Sequence, residues 1–170
     1  MRFACRPVGL DFLESAPLRF VNEVEINAAP EYVFKVLADA DSWPAFVRDI
    51  RKAQWTSPAP HGVGSTRTVV LTGMTVWEKF IAWEPGKRFT FYIEESTAPL
   101  ARIVCEDYRL EPAGGGRTVL TYAMACEPAL LLTLTGPLGK RQLGGLCSRI
   151  AHGISAFMEK KRNELGRDTP

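Results

Sequence analysis

Apolar and polar positions along the chain follow two alternating periods, and the switches between them outline the fold. Residues 18–27 alternate, with Phe20, Val24 and Ile26 on one side and Glu23 and Glu25 on the other, as in a half-buried strand. Asn22 is the polar exception on the apolar side. Ala29-Pro30-Glu31 then opens a helix, because proline suits the first helical position and an acid suits the positive helix end. Val33, Phe34, Val36 and Leu37 supply its buried side. Asp41-Ser42 with Pro44 repeats the start signal and predicts a second short helix over 42–50.

A strand over 50–57 and a Pro/Gly loop over 58–64 lead into three consecutive antiparallel strands between residues 62 and 93. A two-residue turn at Thr72-Gly73 sets Leu71 opposite Met74, Val69 opposite Val76 and Arg67 opposite Glu78. That register puts a cation and a carboxylate on the same face as Val69, Leu71, Val76 and Phe80. Two more strands follow, over 102–111 and 118–127, reversed at the Pro112–Gly116 loop. A long amphipathic helix over 138–165 ends the chain, with Leu143, Leu146, Cys147, Ile150, Ile154 and Phe157 on one stripe. Gly153 lies at the stripe's edge and is expected to leave space against the helix.

This order is α+β: a curved seven-stranded antiparallel sheet wrapped around one long C-terminal helix, with two short helices between the first and second strands. Residues 1–17 are an N-terminal extension laid across the surface, 18–165 form one domain, and 166–170 form a tail. With 170 residues, one domain of this kind buries a sizeable core.

Composition narrows the function. Apolar residues make up 46% and charged residues 24%, with a net charge of +2, so no electrostatic case for nucleic acid arises. The four cysteines (Cys5, Cys105, Cys126, Cys147) are scattered, without Cys-x-x-Cys or a histidine at ligand spacing, which argues against zinc and dithiol chemistry. Cys105 has the opposite parity to Cys126's expected partners, so a disulfide between them is not expected. No run approaches the ~20 apolar residues of a membrane span, and Arg6, Pro7 and Asp11 interrupt any leader-like stretch, so a cytoplasmic protein without integral membrane association is expected. The sequence has neither a Gly-x-Gly-x-x-Gly after a strand nor a Walker motif, and no cofactor is expected.

The run Ile26-Asn-Ala-Ala-Pro-Glu-Tyr-Val-Phe-Lys-Val-Leu-Ala-Asp39 is followed by Trp43-Pro44, Gly62-Val-Gly-Ser-Thr-Arg67, Glu78, Ala82-Trp-Glu-Pro-Gly86, Arg88-Phe89 and Gly115-Gly-Arg-Thr-Val-Leu-Thr121. In this order the motifs resemble the START-like, or SRPBCC, superfamily, and within it the polyketide cyclase/dehydrase-like group. The resemblance spans residues 18–165. It implies a helix-grip fold around a deep hydrophobic cavity, in a superfamily whose members bind lipids, sterols, polyketides, quinones or plant hormones and include aromatase/cyclases.

Arg67 and Glu78 lead the candidate site. In a cavity, Arg67 would hydrogen-bond a ligand carbonyl or carboxylate and Glu78 would accept from a ligand hydroxyl; alternatively they form a buried ion pair that sets strand register. Glu106 shares the parity of Tyr108, and Tyr108 and Tyr122 are expected to face each other across neighbouring strands. Phe80, Phe91, Met124, Leu146 and Ile150 complete the expected ligand-binding set as apolar wall. Trp43 and Phe46 are expected at the cavity entrance, and Trp77 and Trp83 outside it or at a subunit contact, which leaves room for a homodimer. His61 in its loop and His152 off the stripe make no case for histidine catalysis.

Three functions follow: binding of a hydrophobic small molecule; a cyclase, aromatase or dehydratase using the same polar groups; or an interaction module with a filled cavity. A cavity below ~300 Å³ would count against the first two.

Overall fold

The computed structural model describes residues 1–99, 101–134 and 136–167. In chain order the elements are β1 (Phe3–Ala4), α1 (Phe12–Ser15), β2 (Leu18–Ile26), α2 (Pro30–Ala38), α3 (Trp43–Phe46), β3 (Ile50–Trp55) and β4 (Thr66–Leu71). They continue with β5 (Met74–Glu84), β6 (Arg88–Ser96), β7 (Ala101–Gly114), β8 (Arg117–Pro128), α4 (Leu130–Leu134) and α5 (Gly136–Arg167). A 3₁₀ turn over Ala40–Ser42 joins α2 to α3, with the Asp39 carboxylate accepting from the Asp41 amide.

The sheet is antiparallel in the order β2-β8-β7-β6-β5-β4-β3, with β1 added to β6. It therefore has eight strands where seven were expected. The eighth comes from the N-terminal extension. β6 and β7 pair only between Arg88 and Tyr92 on one side and Cys105 and Arg109 on the other, then splay apart. The opening segment enters that gap: Phe3 and Ala4 pair with Ser96 and Glu95, and the Arg6 amide donates to the Arg102 carbonyl. Further along, Leu13 is buried on the outer face against Tyr92, Cys105 and Ala125. Otherwise-unpaired backbone groups thus gain partners, and a bare apolar patch is covered.

The inner face carries the main core. α5 lies across it, with Cys147, Ala151, Ile154 and Met158 fully buried and Leu143, Ile150 and Phe157 partly so. α5 begins at Gly136 and runs to Arg167, so the expected tail starts inside it, and residues 168–170 lie outside the described residues. The apolar run after β8 forms the short helix α4, which the strand and helix periods did not predict. On the side facing Phe46, Gly153 leaves no space. A Cβ there would sit 2.1 Å from the Phe46 carbonyl oxygen, so the glycine lets the backbones of α5 and α3 meet.

One irregularity changes which side chains face inward. Across the β4–β5 turn the register is regular, Leu71 to Met74 and Arg67 to Glu78, with Gly73 at φ 91°. Between β5 and β6, Phe80 pairs with Phe91 but Ala82 pairs with Thr90, so Ile81 is an extra residue. The bulge turns Ile81 to the outer cluster and swings Trp83 inward, edge-on to Phe34 at 5.3 Å and to Phe80 at 5.4 Å between ring centroids. Simple alternation had placed Trp83 outside; the added residue reverses its parity. Trp77, before the bulge, does face outward, with the Arg2 guanidinium 3.9 Å from its ring centroid.

Candidate functional site

Between the inner face and α5 lies a cavity of about 180 Å³. β3, β4 and β5 contribute Ile50, Val69, Leu71, Met74 and Val76 to its wall. Phe91, Ile93, Val104, Met124 and Cys126 come from β6, β7 and β8; Leu143, Leu146 and Ile150 come from α5. Strand alternation explains this wall, because positions two apart on one strand share a face. The charged groups in the wall, among the described residues, are Glu78 and Glu106.

Behind Glu78 sits Arg67. Its Nε donates to Glu78 Oε2 at 2.7 Å, and the side chains are 1% and 6% exposed. The guanidinium carbon lies 4.3 Å from the Trp43 ring centroid, 5.3 Å from Phe91, 5.4 Å from Phe80 and 5.7 Å from Trp55. Neither Nη1 nor Nη2 has a hydrogen-bond partner. The cation is therefore held by one charge-assisted bond and a cage of aromatic faces.

Glu106 has a different environment. Tyr108 Oη donates to Glu106 Oε2 at 3.0 Å, and no cation bonds to the carboxyl. Tyr108 and Tyr122 pair across β7 and β8 with rings 4.7 Å apart, and the buried Tyr122 hydroxyl has no hydrogen-bond partner. Burial, reinforced by the Glu78 charge, pushes the Glu106 carboxyl up to about 7 against the pull of the two tyrosine hydroxyls and Arg67. Burial also raises Glu78, and the charge and hydrogen bond of Arg67 oppose that rise without cancelling it.

Of the residues expected from sequence, Glu78, Phe91, Glu106, Met124, Leu146 and Ile150 line the cavity. Arg67, Phe80, Tyr108 and Tyr122 stand one layer behind, in contact with the wall. Glu106 is part of the wall rather than a surface carboxylate. Trp43 had been expected at the entrance. Instead it is buried in the wall, its Nε1 donating to the Leu37 carbonyl at 2.8 Å while its ring caps Arg67. The expected set missed further wall residues, among them Val47, Ile50, Val69, Val76, Ile93, Val104, Cys126 and Leu143, although parity alone would have marked Val69, Val76, Val104 and Cys126. A buried outer-face carboxylate also went unread: Asp107 accepts from Arg88 Nε (2.7 Å), Thr90 Oγ1 (2.6 Å) and Arg109 Nε (2.7 Å). Fully bonded on the opposite face, it has no part in the cavity.

Nothing here favours a nucleophile. The four cysteines are free, and burial pushes Cys105, Cys126 and Cys147 up to about 12, 11 and 12, so their thiols stay protonated. His61 stacks on Trp55 at 4.0 Å, and His152 is exposed on α5. Among the described residues, no three of His, Cys, Asp and Glu gather as a metal site. No described helix is long and apolar enough to cross a membrane.

Two predictions follow from the charges. Replacing Arg67 with Met strands the Glu78 carboxylate in an apolar wall. Urea denaturation should show a loss of ~3–5 kcal/mol, partly recovered when Glu78→Gln is added; a loss below ~1 kcal/mol would mean the pair does not hold the strands. The second concerns pH. Glu106 titrates near 7 when folded and near ~4.3 when unfolded, so the folded state holds the extra proton between those values. Its contribution is complete below the unfolded value and is lost as pH rises through about 7. Relative to Glu106→Gln, the parent should be more stable at pH 5 than at pH 8 by up to ~3 kcal/mol. A constant difference across that range in denaturation midpoints would contradict the buried-carboxyl reading.

Comparison with known proteins agrees with this geometry. Residues 17–159 match the family model described as polyketide cyclase / dehydrase and lipid transport. Uncharacterized proteins of Mycobacterium tuberculosis and Mycobacterium bovis are each 43% identical over 124 residues, covering 72% of this chain and 74% of theirs. Among solved structures, a START superfamily protein from Mycobacterium smegmatis superposes with a TM-score of 0.72 at 15% identity, covering 84% of this chain and 97% of that one. The Zhui aromatase/cyclase from a Streptomyces species gives 0.69 at 14% identity, covering 85% and 94%. At those identities the superpositions speak for the fold alone, which is the START helix-grip fold. The family-wide sequence match carries the assignment: this chain belongs to the polyketide cyclase/dehydrase and lipid transport family.

Proposed function

We propose that this protein binds a small, mainly apolar molecule in the cavity between the sheet and α5. The observation that carries the reading is the wall itself: an apolar lining in which, among the described residues, Glu78 and Glu106 are the charged groups. Burying carboxylates beside empty apolar space costs free energy, and a bound molecule offers them a partner.

Size limits the ligand. About 180 Å³ falls below the ~300 Å³ mark and so counts against both ligand functions for drug-sized molecules, lipid-, sterol- and polycyclic compounds above all. It is nevertheless larger than the roughly 150 Å³ of an apolar cavity that accepts benzene. A single-ring molecule therefore fits the space as it stands. The decisive experiment pairs organic extraction and mass spectrometry of the purified protein with NMR titration by toluene. Toluene should shift resonances of Val69, Val76, Met124 and Leu146, and Val76→Phe, which fills the space, should abolish those shifts. Toluene shifts that are absent or survive Val76→Phe would rule out this cavity as the site.

A second reading, cyclase- or dehydratase-type chemistry, is favoured by Glu106. A carboxyl brought to about 7 and hydrogen-bonded to Tyr108 is suited to take up and return a proton near neutral pH. If it does so, a single-ring ketone should exchange its α-hydrogens for deuterium faster in the presence of the protein. Glu106→Gln should then lower that rate ~10²–10⁴-fold, whereas an unchanged rate leaves the protein a binder.

A further inference from the structure

We infer that the cavity selects a neutral, hydroxyl-bearing single-ring compound and rejects its carboxylate analogue, with Glu106 as the residue that decides between them. This rests on the binding reading above and specifies the ligand's chemistry.

The argument begins with the free valences of the wall. Glu78 Oε2 is occupied by Arg67 and Glu106 Oε2 by Tyr108; the Tyr122 hydroxyl faces Glu106 but forms no hydrogen bond, and no hydrogen bond to either Oε1 is formed among the described residues. Once Glu106 is ionised, as at pH 8, what the wall offers a ligand is acceptor oxygens. A phenol or alcohol supplies the one thing these oxygens lack, a donor, and does so without bringing in a charge. At pH 8 a carboxylate has no proton to give and adds a third negative charge beside those of Glu78 and Glu106.

The nearby cation does not reverse this preference. Arg67 is absent from the wall, standing behind Glu78 and Trp43, and its Nε is committed to Glu78. Its charge is largely offset by Glu78. The remaining groups facing Glu106 are Tyr108 on β7, Tyr122 on β8 and the protonated thiol of Cys147 on α5. None is a cation able to hold a ligand carboxylate. Glu106 thus carries the uncompensated charge of the site once it ionises, and that charge makes the discrimination.

Shape restricts the hydroxyl's position. The rest of the wall is apolar, Val69, Val76, Phe91, Met124 and Leu146 among it, so the ring packs there and the hydroxyl points toward the carboxylates. Sites that leave buried acceptors unpaired reject analogues lacking the donor, so the unsubstituted ring should also bind less well.

The test compares p-cresol, p-toluate and toluene by NMR titration at pH 8, with the parent protein and with Glu106→Gln. The amide variant keeps the shape and an acceptor oxygen but removes the charge. Near-identical amide spectra away from the cavity would confirm that it folds. The parent should bind p-cresol at least about tenfold more tightly than p-toluate, and more tightly than toluene. In Glu106→Gln the cresol-to-toluate ratio should narrow several-fold. If p-toluate binds as well as p-cresol, or if the ratio is unchanged in the variant, the selection is wrong although binding stands. If none of the three compounds binds, toluene included, the binding reading fails and the selection fails with it.

Discussion

The constraint on which this architecture depends is an arginine buried on the inner face of a sheet. A guanidinium with 1% of its side chain exposed must be compensated where it stands, and the antiparallel register of β4 and β5 delivers that compensation by placing Glu78 directly opposite. The two-residue turn at Thr72-Gly73 determines that register, so a local turn fixes a long-range electrostatic pairing. A slip of one residue would send Arg67 to the outer face and break the cage of Trp43, Trp55, Phe80 and Phe91 around it. Trp43 ties the short helices to this pair, because its ring covers the cation while its indole nitrogen bonds to the end of α2.

The cavity depends on the same arrangement. Arg67 and Glu78 take up one section of the inner face that apolar side chains would otherwise fill, and α5 spans what remains. α5 meets α3 closely where Gly153 faces the Phe46 carbonyl, and the space lies beside its Leu143, Leu146 and Ile150. Glu106 reaches into that space without a cation of its own. Two carboxylates of the same residue type thus have different protonation behaviour: one is bonded to a guanidinium, the other to a tyrosine hydroxyl. The family's description covers both cyclase/dehydrase members and lipid transport.

Much of this was legible from the residue pattern. Alternation located the strands, proline and acidic start signals located α2 and α3, and the 3.6-residue stripe located α5. Turn chemistry at Thr72-Gly73 paired Arg67 with Glu78, and the shared parity of Glu106, Tyr108 and Tyr122 brought them together. These features are local, or they propagate from one local turn through regular backbone geometry, so residue order carries them.

What the pattern could not carry arises where regularity breaks or where distant segments meet. The extra residue at Ile81 reversed Trp83 and moved it from the surface to the core, and no propensity marks that bulge in advance. β1 joined the sheet because β6 and β7 splay apart, a consequence of sheet curvature rather than of residues 3 and 4 themselves. Cavity size followed from how closely α5 packs on the sheet, a matter of backbone separation between α5 and strands such as β3–β5 that lie far earlier in the chain. Residue order therefore settled which side chains face inward along each regular strand. Packing in three dimensions settled how much space they leave, and which of the two carboxylates remains without a cation.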